Sequence, residues 1–177
     1  MNNCYTANMS VEKRRIISTS GIVYMSIFVL LTAIILVFSG FSGEISSSQS
    51  DFVVNVLNSV LRFFGIILNE SQLDTFAFFV RKLIGHFLIF LLDGLFVYLF
   101  LIKLTFFKNR WLHFVIAITI MFVVAGASEL IQLFASGRSG NLIDVGIDLS
   151  GALLGIVIAF IITLQVKEKV DYKSASL

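Results

Sequence analysis

Proline is absent from this 177-residue chain, cysteine occurs once, and charged residues are scarce. The single cysteine, Cys4, excludes a disulfide within the chain and a cluster of cysteine metal ligands. Only 14% of the residues are charged, so there is too little polar surface to cover the apolar residues of a water-soluble globular protein. The formal net charge of +2 is small and scattered, and therefore no nucleic-acid partner is expected.

The apolar residues are abundant and lie in long runs: 58% of the chain is hydrophobic, and 19 residues are phenylalanine. A bilayer core about 30 Å thick requires about 20 consecutive apolar residues in helical form. Four stretches with few or no charges meet that length, namely residues 21–41, 83–107, 111–134 and 145–165. A lone strand in lipid leaves backbone groups unpaired, so all four are expected to be helices. The predicted fold class is all-α, a polytopic membrane protein with four transmembrane helices and an amphipathic interfacial helix.

The first apolar run follows the basic residues 13–15, an arrangement that signal peptides also have. However, the run is longer than a typical signal core, and no A-x-A cleavage pattern follows it. We therefore expect it to be retained as a membrane anchor. No linker separates two domains, which predicts an N-terminal cytoplasmic segment (1–20), one transmembrane domain (21–165) and a cytoplasmic tail (166–177).

The orientation in the membrane follows from the lysines and arginines. With the N-terminus inside, nine of these 13 residues lie in cytoplasmic segments. The other four lie on the opposite side, and they are Arg62, Arg81, Lys82 and Arg138. An excess of positive charge marks the cytoplasmic side, so both termini are predicted to be cytoplasmic. Trp111 is then expected at the cytoplasmic interface.

The long first outer loop contains a polar stretch, residues 42–50, and then an amphipathic segment, residues 51–68. The apolar side chains of 51–68 recur at helical spacing beside a narrower polar face. This pattern indicates a helix in the outer interface, with a re-entrant helix and packing against the bundle as alternatives. The sequence SQLD at 71–74 has the form of a capping box, which predicts the start of a helix that continues into the second span.

Polar side chains from three distant parts of the sequence are predicted to meet near the outer face. Ionisable residues within membrane spans are costly and usually face the bundle interior or a watery cavity. The groups are Arg81, Lys82 and His86 of span two, Glu129 and Gln132 of span three, Arg138 of the short outer loop, and Asp144 and Asp148 of span four. Either these charges neutralise one another and hold the helices together, or they form a functional pocket.

The spacing of these residues predicts which faces they share. Lys82, His86 and Asp93 are expected on one stripe of an α-helix, and Glu129 faces the same way as Gln132. Asp144, Asp148, Gly151 and Gly155 follow the spacing of one packing face, and the two glycines allow close helix approach. Asp93 is interpreted either as a hydrogen-bonded tether or as a proton-titrating group, and His113 is expected at the cytoplasmic interface.

Three ordered blocks resemble signatures of the VanZ-like membrane protein family. VRKLIGHF at 80–87 resembles the family's Arg-Lys…His-Phe segment, and SELIQ at 128–132 resembles its Glu-x-x-Gln segment. GRSGNLID at 137–144, followed by an aspartate and the two glycines, resembles its closing segment. At the position of a tyrosine often found after the histidine, this chain has Phe90. The resemblance implies a multi-pass bacterial plasma-membrane protein of the cell envelope, and some members are associated with reduced susceptibility to glycopeptides such as teicoplanin.

The first functional hypothesis is an outer-leaflet site, catalytic or not, for a lipid-linked or phosphate-bearing anionic group. Its binding residues are Arg81, Lys82, Gln132 and Arg138, since arginine and lysine bind phosphate. Its catalytic residues are His86, Glu129, Asp144 and Asp148, with His86 as the acid or base. Glu129, Asp144 and Asp148 also suit magnesium, and zinc is less favoured because only one histidine is within reach. No cofactor or metal ligand is assigned.

Two other hypotheses remain open at this level. In the second, the charged cluster is structural and the aromatic-rich helices bind a partner or the lipid tail of a lipoglycopeptide. In the third, Asp93 supports proton- or ion-coupled transport, which requires a homo-oligomer because four helices enclose little space. The expected partners are accordingly membrane lipids or lipid-linked cell-wall intermediates, a lipoglycopeptide, or a second copy of the chain.

Overall fold

Helices form nearly all of the regular structure in the computed structural model, which describes residues 18–104, 109–138 and 140–175 and, of residues 166–175, the backbone alone. The elements are α1 (Thr19–Ser39), α2 (Gly43–Phe63), α3 (Glu70–Val80), a π-helical segment (Arg81–Leu88), α4 (Ile89–Leu101), α5 (Arg110–Phe134) and α6 (Leu142–Ala175). Four stretches are long and apolar enough to cross a membrane: Thr19–Ser39, Glu70–Leu101, Arg110–Phe134 and Leu142–Gln165. The predicted all-α class with four membrane-spanning helices is confirmed.

The core of the bundle lies between α4 and α6, the two helices with the most extensive contact. α1 packs against α4, and α5 packs against α6, α1 and α4. Phe90, Val97, Tyr98, Met121 and Ile156 are among the buried side chains at the centre. Many large hydrophobic side chains on the outer faces of α1 and α5 are exposed, as expected for helix faces that contact lipid tails.

Glycines allow α6 to approach the second span at backbone distance. Gly151 lies directly against the carbonyl of Phe87, and Gly155 lies against the carbonyl of Leu91. Gly94 of α4 makes the reciprocal contact with Ala152. The predicted packing face of span four is confirmed, because each of these glycines occupies a place where the neighbouring backbone leaves no room for a Cβ.

The starts of two helices differ from the sequence prediction. The capping box of α3 is formed by Asn69 and Gln72: the Asn69 side chain accepts from the backbone of Gln72 at 2.9 Å, and the Gln72 side chain accepts from that of Asn69 at 3.0 Å. The box predicted at residues 71–74 is therefore wrong by two positions, because the asparagine provides the earlier cap. The continuation of this helix into the second span is confirmed.

The amphipathic segment is also displaced from its predicted bounds of 51–68. α2 begins at Gly43, because the Ser42 hydroxyl accepts from the backbone of Ile45 at 3.4 Å and caps the helix. It ends at Phe63, and Gly65 follows with a φ of +79°, a conformation that glycine adopts readily. Residues 43–50 of the polar stretch are thus helical, and their side chains belong to the amphipathic helix.

The second span contains a π-helical segment that the sequence did not predict. The wider turns of residues Arg81–Leu88 change the angle between successive side chains. Of the three residues expected on one stripe, Lys82 and His86 both contact α6. Asp93 is fully buried and accepts a hydrogen bond of 2.9 Å from Thr32 of α1. The α4 helix ends at Leu101, earlier than the predicted end of this span, and residues 105–108 lie outside the described residues.

Replacing Thr32 by valine is expected to lower the free energy of unfolding by about 1–2 kcal/mol, because the buried Asp93 then loses its hydrogen-bond donor. Its other carboxylate oxygen already has no partner within the described parts of the chain. Thr119→Val is the matched control, since its hydroxyl bonds to Val115 of its own helix and its side chain is exposed. Denaturant titration in detergent micelles measures both, and equal effects would contradict the tether.

His113 lies near the start of α5 and is buried. Only 3% of its surface is exposed, so its side chain faces the inside of the bundle. Ala117 and Met121 follow at steps of four residues and are also buried, which places all three on the core-facing stripe of α5. Trp111, by contrast, is 66% exposed, and its ring is tilted against that of Phe160 with the ring centroids 5.5 Å apart.

Candidate functional site

Two acid–base pairs join the π-helical segment to the first turns of α6. Lys82 forms an ion pair with Asp144, and His86 Nδ1 lies 3.0 Å from Asp148 Oδ1. Lys82 and His86 are four residues apart in one segment, and Asp144 and Asp148 are four residues apart in α6. The two pairs are therefore separated by about one helical turn. The residues predicted to converge from spans two and four do so, and these four are already bonded to one another.

Glu129 of α5 connects the same region to the start of α6. Gln132 donates to one carboxylate oxygen of Glu129 at 3.1 Å, and the backbone N–H of Asn141 donates to the other at 2.7 Å. Asn141 also caps α6, since its side chain accepts from the backbone of Ile143. A carboxylate at this place is favoured by the positive end of the helix dipole. Glu129 and Gln132 therefore face the same way, as the sequence predicted.

His86, Glu129 and Asp148 come together as a buried group. One potential ligand atom from each lies within 4.8 Å of the others, and all three residues are buried. The second oxygen of Asp148, Oδ2, has no hydrogen-bond partner among the described residues. From the sequence, Asp144 was expected to join Glu129 and Asp148 as a magnesium ligand. The structure instead places Asp144 beside Lys82 and puts the histidine in the group.

A cavity of about 310 Å³ lies next to this buried group. It is enclosed by parts of α1, α2, the π-helical segment, α4 and α5. Four of the eight predicted site residues line it, and they are Arg81, His86, Gln132 and Arg138. The other four do not line it and lie among the paired groups, namely Lys82, Glu129, Asp144 and Asp148.

The two arginines of the cavity carry its positive charge. Arg138 donates to the backbone carbonyl of Phe38 at 3.1 Å, and within the described ranges neither Arg138 nor Arg81 has a carboxylate within ion-pair distance. Burial lowers the pKa of the Arg138 guanidinium from its usual value; Glu129 raises it and Arg81 lowers it further. An arginine remains protonated in proteins, so two like charges lie on one cavity. The cavity is therefore cationic, and the carboxylates lie behind its wall.

Comparison with sequence models of protein families shows to which family the chain belongs. The sequence model of a family described as VanZ/LLP1 matches residues 23–163, which is most of the chain. The chain belongs to the VanZ/LLP1 family. No curated protein and no solved structure matches it. The resemblance carried by the three sequence blocks is thereby confirmed.

In this VanZ/LLP1 protein, α2 contributes a wall of the cavity that sequence reasoning missed. Ser46, Gln49, Ser50 and Val53 line the cavity, and they follow the i, i+3, i+4, i+7 spacing of one helix face. That spacing was the available signal, but the stretch was interpreted as the polar opening of a loop. Phe90, at the position where a family tyrosine was expected, is 2% exposed and lines the cavity, so the wall is apolar there.

Proposed function

We propose that this VanZ/LLP1 protein is a multi-pass protein of the bacterial cell membrane that binds a phosphate-bearing group of a lipid-linked cell-envelope molecule. The observation that carries the proposal is that Arg81 and Arg138 lie on one cavity and that neither has a carboxylate partner among the described residues. A guanidinium can donate two parallel hydrogen bonds to a phosphate, and its geometry matches that anion. An anion between Arg81 and Arg138 also relieves the repulsion between their charges.

The size and surroundings of the cavity support a headgroup of this kind. Its volume of about 310 Å³ lies at the lower end of the range typical of small-molecule sites. Its lining combines charged and hydroxyl groups with apolar residues such as Ile35 and Phe38, which suits a polar head joined to a hydrocarbon chain. The excess of lysine and arginine in the opposite segments supports a cavity on the outer side of the membrane.

His86 is the group in this cavity that is suited to acid–base chemistry. Its Nδ1 is held by Asp148, and a carboxylate that holds one ring nitrogen orients a histidine for proton transfer through the other. Lys82 and Asp144 hold the π-helical segment against α6 one turn away. Binding is the proposed function, and His86 is the residue through which a group-transfer reaction would proceed if the bound molecule reacts.

Replacing Arg81 or Arg138 by glutamine is expected to weaken binding of a polyprenyl pyrophosphate about 10–100-fold, since hydrogen bonds to charged groups contribute about 1.5–3 kcal/mol. Arg62→Gln is the matched control, because Arg62 is exposed on α2 and does not line the cavity. It is expected to change affinity less than about twofold. Fluorescence titration of the protein in nanodiscs measures all three variants.

Two outcomes of that titration contradict the proposal. One is that the corresponding polyprenyl alcohol, which lacks phosphate, binds as tightly as the pyrophosphate. The other is that all three arginine variants weaken binding equally, which indicates general attraction to the membrane surface. Competition with inorganic pyrophosphate distinguishes a site for the headgroup alone from a site that also requires the lipid chain. Inorganic pyrophosphate displaces the lipid only from a site that recognises the headgroup alone.

A second candidate function is non-catalytic binding at an aromatic surface outside the cavity. In that case the charged cluster only holds the helices together. The Lys82–Asp144 ion pair and the His86–Asp148 hydrogen bond favour it, since they join the π-helical segment to α6 without a ligand. Phe63 and Phe64 are 85% and 72% exposed and offer an aromatic surface for the lipid tail of a lipoglycopeptide. If this reading is correct, cellular resistance to teicoplanin is lost in Phe63→Ser and Phe64→Ser and is retained in Arg81→Gln.

A further inference from the structure

We propose that His86, Glu129 and Asp148 bind one divalent metal ion of the zinc or manganese class. An imidazole nitrogen and two carboxylate oxygens form a mixed ligand set, which suits these ions better than the all-oxygen set that magnesium and calcium prefer. The inference does not depend on phosphate binding, because neither Arg81 nor Arg138 is a proposed metal ligand, and the two are tested by separate measurements.

The distances are close to those of a coordination sphere. The three ligand atoms lie within 4.8 Å of one another. Ligands at about 2.0–2.2 Å from one ion are separated by about 3.3–3.6 Å in a tetrahedral site, so side-chain movements that together close about 1.3 Å are sufficient. The residues come from the π-helical segment, α5 and α6, and the site therefore exists only in the assembled bundle.

The carboxylates are oriented by neighbouring groups in the manner of metal ligands. Gln132 and the backbone of Asn141 each donate to one oxygen of Glu129, which fixes the plane of its carboxylate. Such hydrogen bonds hold ligating side chains in place and tune their basicity. Asp148 is 0% exposed, and its Oδ2 has no partner in the described parts of the chain. A buried, unpartnered carboxylate oxygen beside a histidine and a second carboxylate is an available metal ligand.

Charge balance points to a divalent ion. Glu129 and Asp148 are two buried acids, and the nearest lysine, Lys82, is already paired with Asp144. Protonation of His86 would neutralise one of the two negative charges, whereas a divalent ion neutralises both. Buried carboxylates without compensation are costly, so the ion stabilises the bundle as well as completing the site.

The site would keep coordination positions for a ligand from the cavity. Three protein ligands leave at least one position open, as in catalytic zinc sites, and His86 itself lines the cavity. A water molecule or an oxygen atom of a bound anion can reach such a position from there. A water bound to zinc becomes a nucleophile near neutral pH, which is the chemistry that this metal would supply.

Metal content of the purified protein tests the proposal. Protein in detergent is stripped with a chelator, reloaded with Zn²⁺ or Mn²⁺, separated from free metal and measured by mass spectrometry. We expect one ion per chain in the wild type, and at least about tenfold less in His86→Gln and Asp148→Asn, since each removes a ligand. Asp51→Asn is the control, because Asp51 is exposed on α2, and it is expected to retain one ion per chain.

Cobalt provides a second measurement on the wild type, which is independent of how well the variants fold. Co²⁺ in a nitrogen–oxygen site of low coordination number gives visible absorption that Zn²⁺ titrates away at one equivalent. Metal far below one per chain in the wild type, or one per chain retained in both ligand variants, would overturn the proposal. If metal binds while the arginine variants leave pyrophosphate binding unchanged, the metal site stands and the proposed function fails.

Discussion

Replacing Lys82 by methionine is expected to lower the free energy of unfolding by about 2–4 kcal/mol, because Asp144 then remains as a nearly buried charge without a partner. The side chain of Lys82 is 20% exposed and that of Asp144 is 10% exposed, so the effect is somewhat smaller than for a fully buried pair. Arg81→Met removes the same charge from the adjacent position. Arg81 is exposed and has no carboxylate partner in the described ranges, and its variant is expected to stay within about 0.5 kcal/mol of the wild type.

Denaturant titration in detergent micelles, followed by circular dichroism, measures both variants. The double variant Lys82→Met/Asp144→Leu is expected to recover most of the loss, because it removes the unpaired charge together with its partner. Equal destabilisation by the Lys82 and Arg81 variants would show that total charge, rather than the ion pair, is what matters. A double variant no more stable than Lys82→Met would contradict the role of Asp144.

Replacing Gly155 by alanine is expected to destabilise the bundle by about 3 kcal/mol, the upper part of the range for overpacking. The added Cβ would overlap the backbone carbonyl of Leu91 and approach the backbone of Leu95. Backbone atoms cannot rotate away as a flexible side chain can, so α6 must move away from the second span. Gly146→Ala, in the same helix, is the control, because its Cβ would meet nothing within 4 Å.

Gly146→Ala is expected to be neutral or slightly stabilising, since alanine is the better helix former. Thermal unfolding in detergent and the amount of protein inserted in the membrane measure the two variants side by side. If Gly155→Ala were as stable as Gly146→Ala, the close contact between α6 and the second span would not exist as described.

The membrane spans could be predicted because hydropathy is a local property of the sequence. Each predicted apolar run lies within or close to a helix of the structure, and most of the bounds differ by a few residues. The glycine face of α6 was also predictable, because small residues four apart are required for close helix approach. The end of α4 at Leu101 was missed, since the apolar character of the sequence continues beyond the residue at which the helix ends.

The candidate site was predictable only in part. The i, i+4 spacings of Lys82 with His86 and of Asp144 with Asp148 indicated a common depth, and the structure joins these residues in two pairs. The sequence had no means of showing which charges would be paired, since pairing depends on the rotation of each helix. The position of α2 was left open for the same reason, with packing against the bundle as one of the alternatives.

Composition and periodicity alone were sufficient to establish a four-span helical membrane protein with a polar cluster at one depth, because each depends on residues near one another in the chain. Only the tertiary structure showed how that cluster divides. Lys82 pairs with Asp144, two arginines lie on a cavity, and His86, Glu129 and Asp148 form the group for which we propose a metal ion. A π-helical segment rotates the second span, and the glycines of α6 set its distance from that span. The glycine face was visible in the sequence, but the span that it contacts and the π-helical turns of the second span were known only from the folded bundle.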